Sequence, residues 1–206
     1  MLSYNKMYVG GIDPGEFLKL TTSAPGFVGS MQQFILNGEE YFELANSGQL
    51  NNHKLNAILV ESNREAGVHH AVSFTAQNTY VGLPQMKAYN SINIRFQFRT
   101  YEKNGLILFN AGKASDFIAV ELNNGKLFYT LNLGYGPISI KDTTKGTLSD
   151  NKWHRVTIGR PSRYRHTLMV DGHFATASTR GDNYHLDLDG ILFLGKRTFH
   201  SSCDPI

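Results

Sequence analysis

Between residues 91 and 195, apolar and polar side chains trade places with a period of two. In SINIRFQFRT (91–100), Ile92, Ile94, Phe96 and Phe98 fall on one face and Asn93, Arg95, Gln97 and Arg99 on the other. Such alternation marks a half-buried β-strand. GLILFN (105–110) follows Lys103-Asn104-Gly105, a turn signal. DFIAVEL (116–122) alternates through Ile118, Val120 and Leu122 and runs into Asn123-Asn124-Gly125, a hairpin sequence. KLFYTLNL (126–133) repeats the pattern and leaves through Gly134-Tyr135-Gly136-Pro137. PISIK (137–141), KWHRVTIGR (152–160), RHTLMVD (165–171) and DGILFLG (189–195) continue the series, with Asp150-Asn151, Pro161-Ser162 and Asp171-Gly172 between them. Short strands, short turns and no apolar period of 3.6 residues predict an all-β, antiparallel sandwich.

The first 70 residues read differently. KMYVGG (6–11) and FVGSMQQFILNGEEYFEL (27–44) look like strands, and AVSFT (71–75) and TYVGL (79–83) resume the β pattern. The Asn- and Ser-rich stretch 45–67 reads as polar connection with at most a short helical turn, and residues 51–71 are assigned as a linker. KMYVGG and ILFLGK (191–196) form a weak internal repeat, which any buried strand ending in glycine would match.

Composition narrows the class. A chain of 206 residues with 41% apolar and 12% aromatic residues is long enough to bury a full core. A formal charge of +3 does not mark a nucleic-acid binder. No apolar run reaches the ~20 residues that span a bilayer, and MLSYNKMYVGG lacks the charged-then-apolar pattern of a secretory leader. The single cysteine, Cys203, forms no internal disulfide, and no Asn-x-Ser/Thr acceptor is present. These features leave the compartment undecided.

Several motifs in order, NGLILFNAG (104–112), DFIAVELNNGKLFYTLNLGYGP (116–137), LSDNKWHRVTIGR (148–160), LMVDG (168–172) and LDLDGILFLG (186–195), resemble the laminin-G-like (LNS) domains of the neurexin family. The Asn/Asp-x-x-Trp-His step, here Asp150 to His154, is a particularly specific marker in this order. The match is nearest to the end of the fourth and most of the fifth such domain of an α-neurexin. It implies a jelly-roll β-sandwich of concanavalin A-like lectin architecture, in an extracellular adhesion or receptor module of a single-pass plasma-membrane protein. Such a module acts in synapse organisation by binding cell-surface or secreted proteins, and it has no enzymatic activity.

On this reading residues 1–50 are closing strands of a preceding domain, and 72–206 form a second domain without its own last strands. Ser30 stands where the family usually has cysteine, and the tail RTFHSSCDPI departs from it altogether. Two outcomes follow for residues 27–44. They either fill the vacant strand position in the second domain's sandwich or leave the N-terminal third partly unfolded.

The resemblance also implies a weak Ca²⁺ site at one rim. By motif, its ligands are the side chains of Asp116 and Asp187 and the carbonyls of Leu133 and His185, with Asp189 competing for the place of Asp187. Oxygen donors from two strand-end loops suit this ion. The plainer alternative is two solvated strand-end carboxylates, paired with Lys113 or Arg180. A second candidate is the basic cluster of Arg155, Arg160, Arg163, Arg165 and His166. Arg160, Arg163 and Arg165 are candidates for binding an acidic glycan such as heparan sulfate; the plainer alternative is charge that protects a strand edge. A spacer domain that only positions its neighbours is a third possibility.

Catalytic patterns are weak. None of the 8 histidines falls into an HExxH spacing, and no G-x-S-x-G elbow occurs. Gly134-Tyr135-Gly136 has no helix after it to cradle phosphate. Glu39, Glu40 and Glu43 are the nearest approach to paired glycosidase acids, and Glu121 stands alone. The expectation is a binding module with no partner of nucleic acid and no membrane insertion.

Overall fold

The computed structural model describes residues 25–47, 55–56, 58–62, 69–76, 79–83, 86, 90–112, 115–181 and 185–195. KMYVGG, Lys113 and the tail with Cys203 lie outside the described residues.

Two antiparallel sheets face one another. The first runs, from edge to edge, β14 (His173–Ser178), β13 (Arg165–Val170), β12 (His154–Gly159), β7 (Asn93–Arg99), β1 (Gly29–Leu36), β5 (His69–Phe74) and β4 (Ile58–Ser62), with β2 (Glu39–Glu40) attached to β1. The second runs β11 (Pro137–Lys141), β10 (Lys126–Asn132), β9 (Phe117–Asn123), β8 (Gly105–Gly112), β15 (Leu188–Gly195), β6 (Tyr80–Leu83) and β3 (Leu55–Asn56). The alternation read from the sequence sets the faces: β7 buries Ile94, Phe96 and Phe98 and turns Asn93, Arg95 and Arg99 to solvent. Between the sheets lie those residues together with Val156, Ile158, Leu168 and Val170 from one side and Ile118, Val120, Leu127, Leu131, Leu192 and Leu194 from the other. β8 is buried along its whole length, at the centre of its sheet.

Turn chemistry matches the sequence signals. Asn124-Gly125 and Asp171-Gly172 take positive φ at both positions, the geometry of tight hairpins, and Asn and Asp tolerate it better than other side chains.

Residues 29–36 lie inside the first sheet. β1 pairs with β5 through Met31↔Val72 and with β7 through Met31↔Phe98. A bulge between Gln32 and Ile35, with Gln33 at φ 53, shifts the phase so that Met31, Phe34 and Leu36 all point inward. Phe27, just before the strand, packs edge-on against Phe74 and Phe98 at 5.5 and 6.1 Å.

Three local expectations change. Residues 41–46 form a short helix, α1 (Tyr41–Asn46), rather than strand. Helical turning lets consecutive Tyr41 and Phe42 both reach Phe34, at 6.2 and 5.8 Å between ring centres. The stretch assigned as linker, 51–71, contains β3, β4 and the start of β5. Its polar composition hides the aliphatic run Ile58-Leu59-Val60, and Leu59↔Val72 pairs it to β5. β14 was not visible in the alternation because HFATAS carries only one large apolar residue. Among the described residues, no helix is long and apolar enough to cross a membrane.

Candidate functional site: one rim of the sandwich

Parts of four loops gather at one end of the sandwich: 115–116 before β9, 133–136 between β10 and β11, 160–164 between β12 and β13, and 179–181 with 185–187 between β14 and β15. Contacts between loops from different hairpins hold them together. The Tyr135 ring lies so close to Gly181 that a Cβ there would meet it at 2.7 Å. The Thr179 N–H donates to the Tyr164 carbonyl at 2.8 Å.

Asp116 and Asp187 meet at this rim. The Asp187 N–H donates to Asp116 Oδ2 at 2.9 Å, and the Asp116 carbonyl accepts from the Gly112 N–H at 2.7 Å. Asp116 is buried and Asp187 exposed. Burial raises the Asp116 carboxyl above its ordinary pKa; the Asp187 amide pulls it down and the nearby Asp187 carboxylate pushes it up. Two acidic side chains therefore share a small space, and among the described residues no cationic side chain forms an ion pair with Asp116.

Leu133 comes from the neighbouring hairpin. The β9–β10 ladder ends with Asn132 opposite Phe117, and Leu133 and Asp116 are the next residues outward along the two chains. The Asn132 side chain shapes that exit, accepting from the Gly134 and Gly136 N–H groups at 2.9 and 3.1 Å. Sequence reasoning passed over Asn132, although Asn-x-Gly-x-Gly is a legible turn signal. His185 precedes Asp187 by two positions on the last loop, half-buried. Asp189 lies within β15, past the loop. The side chains of Asp116 and Asp187, with the carbonyls of His185 on the Asp187 loop and of Leu133 on a third loop, would make an all-oxygen donor set of the kind a hard divalent cation such as Ca²⁺ takes. Among the described residues there is no group of three or more His, Cys, Asp or Glu side chains suited to a metal.

The basic cluster divides. Arg163 and Arg165 are exposed, the latter with its Nε 3.4 Å from the Thr176 hydroxyl. Arg160 is 6% exposed and donates from Nη2 to the Arg163 carbonyl at 2.7 Å; burial lowers its pKa, while the Tyr129 hydroxyl opposes that. Its alternating position faces the core, which leaves Arg163 and Arg165 as the more exposed of the three arginines. His166, fully buried, also faces in, with Nδ1 3.3 Å from the Tyr129 hydroxyl. On the outer face of the first sheet, Arg155 of that cluster is joined by Arg95 and Arg99, which the cluster did not include; all three are exposed around Gln97, and Arg99 lies 5.0 Å over the Trp153 ring.

Two face-packed antiparallel sheets with cross-braced loops at one end define a lectin-like β-sandwich of the recognition type. The family described as Laminin G domain matches residues 98–205. The chain belongs to this family, in the form found in neurexins. Neurexin 1 of Drosophila melanogaster is 42% identical over 203 residues, covering 94% of this chain and 11% of that protein. Neurexin-3a of Danio rerio is 36% identical over 193 residues, with the same coverages of 94% and 11%. The chain thus spans about 11% of the length of these curated relatives. Domains LG4-5 of the mouse laminin α1 chain share the fold, with a TM-score of 0.50 and 21% identity over 100% of this chain and 42% of that one.

Proposed function

We propose that this chain is an extracellular adhesion or receptor-ectodomain module of neurexin type, which binds a partner protein at its loop rim with Ca²⁺ ordering that surface. It acts by binding, without catalysis, as part of a single-pass plasma-membrane protein in synapse organisation. The observation that carries this is the buried Asp116 carboxyl, which accepts the Asp187 amide just outside the end of the β9–β10 ladder at Phe117↔Asn132. Asp116, Asp187 and the carbonyls of Leu133 and His185 would hold the ion. A cation there offsets the repulsion between the two carboxylates and fixes two loops relative to one another. Few protein donors imply the weak affinity of extracellular modules. Titration calorimetry with CaCl₂ is expected to show heat for the wild type and none for Asp116→Ala; no heat from the wild type removes the metal.

The exposed arginines support a second function, binding of an acidic glycan. The specific observation is that Arg163, Arg165, Arg95, Arg99 and Arg155 are all exposed on or beside one sheet. Retention on heparin is expected to fall for Arg163→Ala combined with Arg165→Ala. Unchanged retention removes those two residues from the site.

A further inference from the structure

The inward side of β12 carries Val156 and Ile158, both fully buried, and the period of two puts Arg160 next in line. An arginine is costly in that place, because burial disfavours its charge. The side chain spends that cost on holding the rim from beneath. Its Nη2 donates to the Arg163 carbonyl at 2.7 Å. Its own N–H donates to the Ile92 carbonyl at 3.0 Å, which fixes Arg160 just past the end of the β7–β12 ladder.

The link continues outward. Tyr164, the residue after Arg163, accepts on its carbonyl from both the N–H and the hydroxyl of Thr179, at 2.8 and 3.3 Å. Two positions on, Gly181 lies against the Tyr135 ring. The Asn132 side chain accepts from the Gly134 and Gly136 N–H groups on either side of that tyrosine. Thr179 and Gly181 belong to the same β14–β15 connection as His185 and Asp187, and its far end is fixed by the Asp187 N–H on Asp116 Oδ2.

We infer that Arg160 is a positioning residue for the Ca²⁺ site: from inside the sandwich, through the Arg163 carbonyl and the Tyr164–Thr179 bonds, it holds the β14–β15 connection that brings Asp187 to Asp116. This rests on the metal reading given above. Arg160 offers no oxygen to the ion and acts through the backbone of its neighbours. A connection already held loses less freedom when the ion binds, and supporting partners outside the ligand set typically change metal affinity ~10–100-fold. Charge alone predicts the opposite, since removing a cation near a cation site favours the ion. Replacing a buried charge by an apolar side chain of similar length is often neutral or favourable for folding. Fold and site therefore respond in different directions, which separates positioning from plain stabilisation.

Titration calorimetry with CaCl₂ and urea unfolding of the Ca²⁺-free protein, both on the whole chain, test this. Arg160→Met is expected to weaken Ca²⁺ binding at least ~10-fold, to keep an unfolding midpoint no lower than that of the wild type, and to speed hydrogen exchange at the Thr179 amide. Arg163→Ala keeps the carbonyl, loses only the exposed side chain, and is expected to bind like the wild type. Thr179→Val breaks the next bond outside the core and is expected to weaken binding ~3-fold. A wild type that takes up no Ca²⁺ overturns the metal reading and this inference with it. Equal affinity in the wild type and Arg160→Met overturns the inference alone. So does an equal loss in Arg163→Ala, a midpoint that falls together with the affinity, or a Thr179 amide that exchanges at the same rate in both proteins. If Arg160→Met does not fold, unchanged affinity in Thr179→Val overturns it.

Discussion

A methyl group at position 112 would stand 2.2 Å from the Asp187 carbonyl oxygen and 2.9 Å from the Asp116 Cβ. The obstacle is mostly backbone, so neither neighbour can swing aside. Gly112→Ala is therefore expected to push the 185–187 loop off the rim and to lower stability by ~1–3 kcal/mol, the usual cost of overpacking. Urea unfolding measures the loss; an unchanged midpoint would mean that the two loops do not meet as described. His166 poses a different demand. Burial, with the Arg160 guanidinium nearby, pulls its pKa from 6.5 down to about 4, so it is neutral in the folded protein at pH 7. Because the unfolded chain binds the proton more readily, stability is whole above pH 6.5 and falls as pH drops from there toward 4. The loss is on the order of 3 kcal/mol once the proton is fully bound. His166→Gln can still meet the Tyr129 hydroxyl but does not titrate. Its unfolding free energy is expected to be flatter across that window, and an unaltered pH profile would assign the acid sensitivity elsewhere.

Among the elements, the β12–β13–β14 unit is pinned by one histidine. His154 meets Asp171 at 2.7 Å and Asp150 at 2.9 Å, linking the entry of β12 to the hairpin turn beyond β13. Asp171→Ala removes that link and the acceptor for the Arg155 N–H, and it places alanine at a φ of 49. The expected cost is ~2 kcal/mol with faster amide exchange along β14, measured by denaturant unfolding and hydrogen exchange. Asp171→Asn, which accepts the same φ more readily, is expected to lose less. β7, β9, β10, β12 and β13 were legible because their buried side chains alternate with more exposed ones, whereas β8, buried along its whole length, was read from its apolar run and the turn before it. β14 and β4 escaped notice for opposite reasons. One is too weakly apolar to alternate visibly, and the other is a short aliphatic run inside a polar stretch. At the rim, motif order located Asp116 and Asp187, which the structure brings together. Whether an arginine faces in or out depends on strand register, and register separated Arg160 from Arg163 and Arg165.

For the molecule as a whole, residues 25–47 are structural rather than appended. Phe27, Met31, Phe34 and Phe42 are buried in the common core, and β1 separates β5 from β7. A chain beginning at residue 48 is expected to lose its cooperative melting transition and its dispersed amide NMR spectrum. A cooperative unfolding curve from that fragment would contradict the position of β1. The order of strands has a further consequence during synthesis. β15 inserts between β8 and β6, so the second sheet cannot close until residue 195 has left the ribosome. Until then the nascent polypeptide carries apolar strips with no opposing layer. Loops this long close slowly relative to local hairpins, which makes the interval before residue 195 emerges the period of greatest exposure of this domain to aggregation and of its greatest need for chaperones.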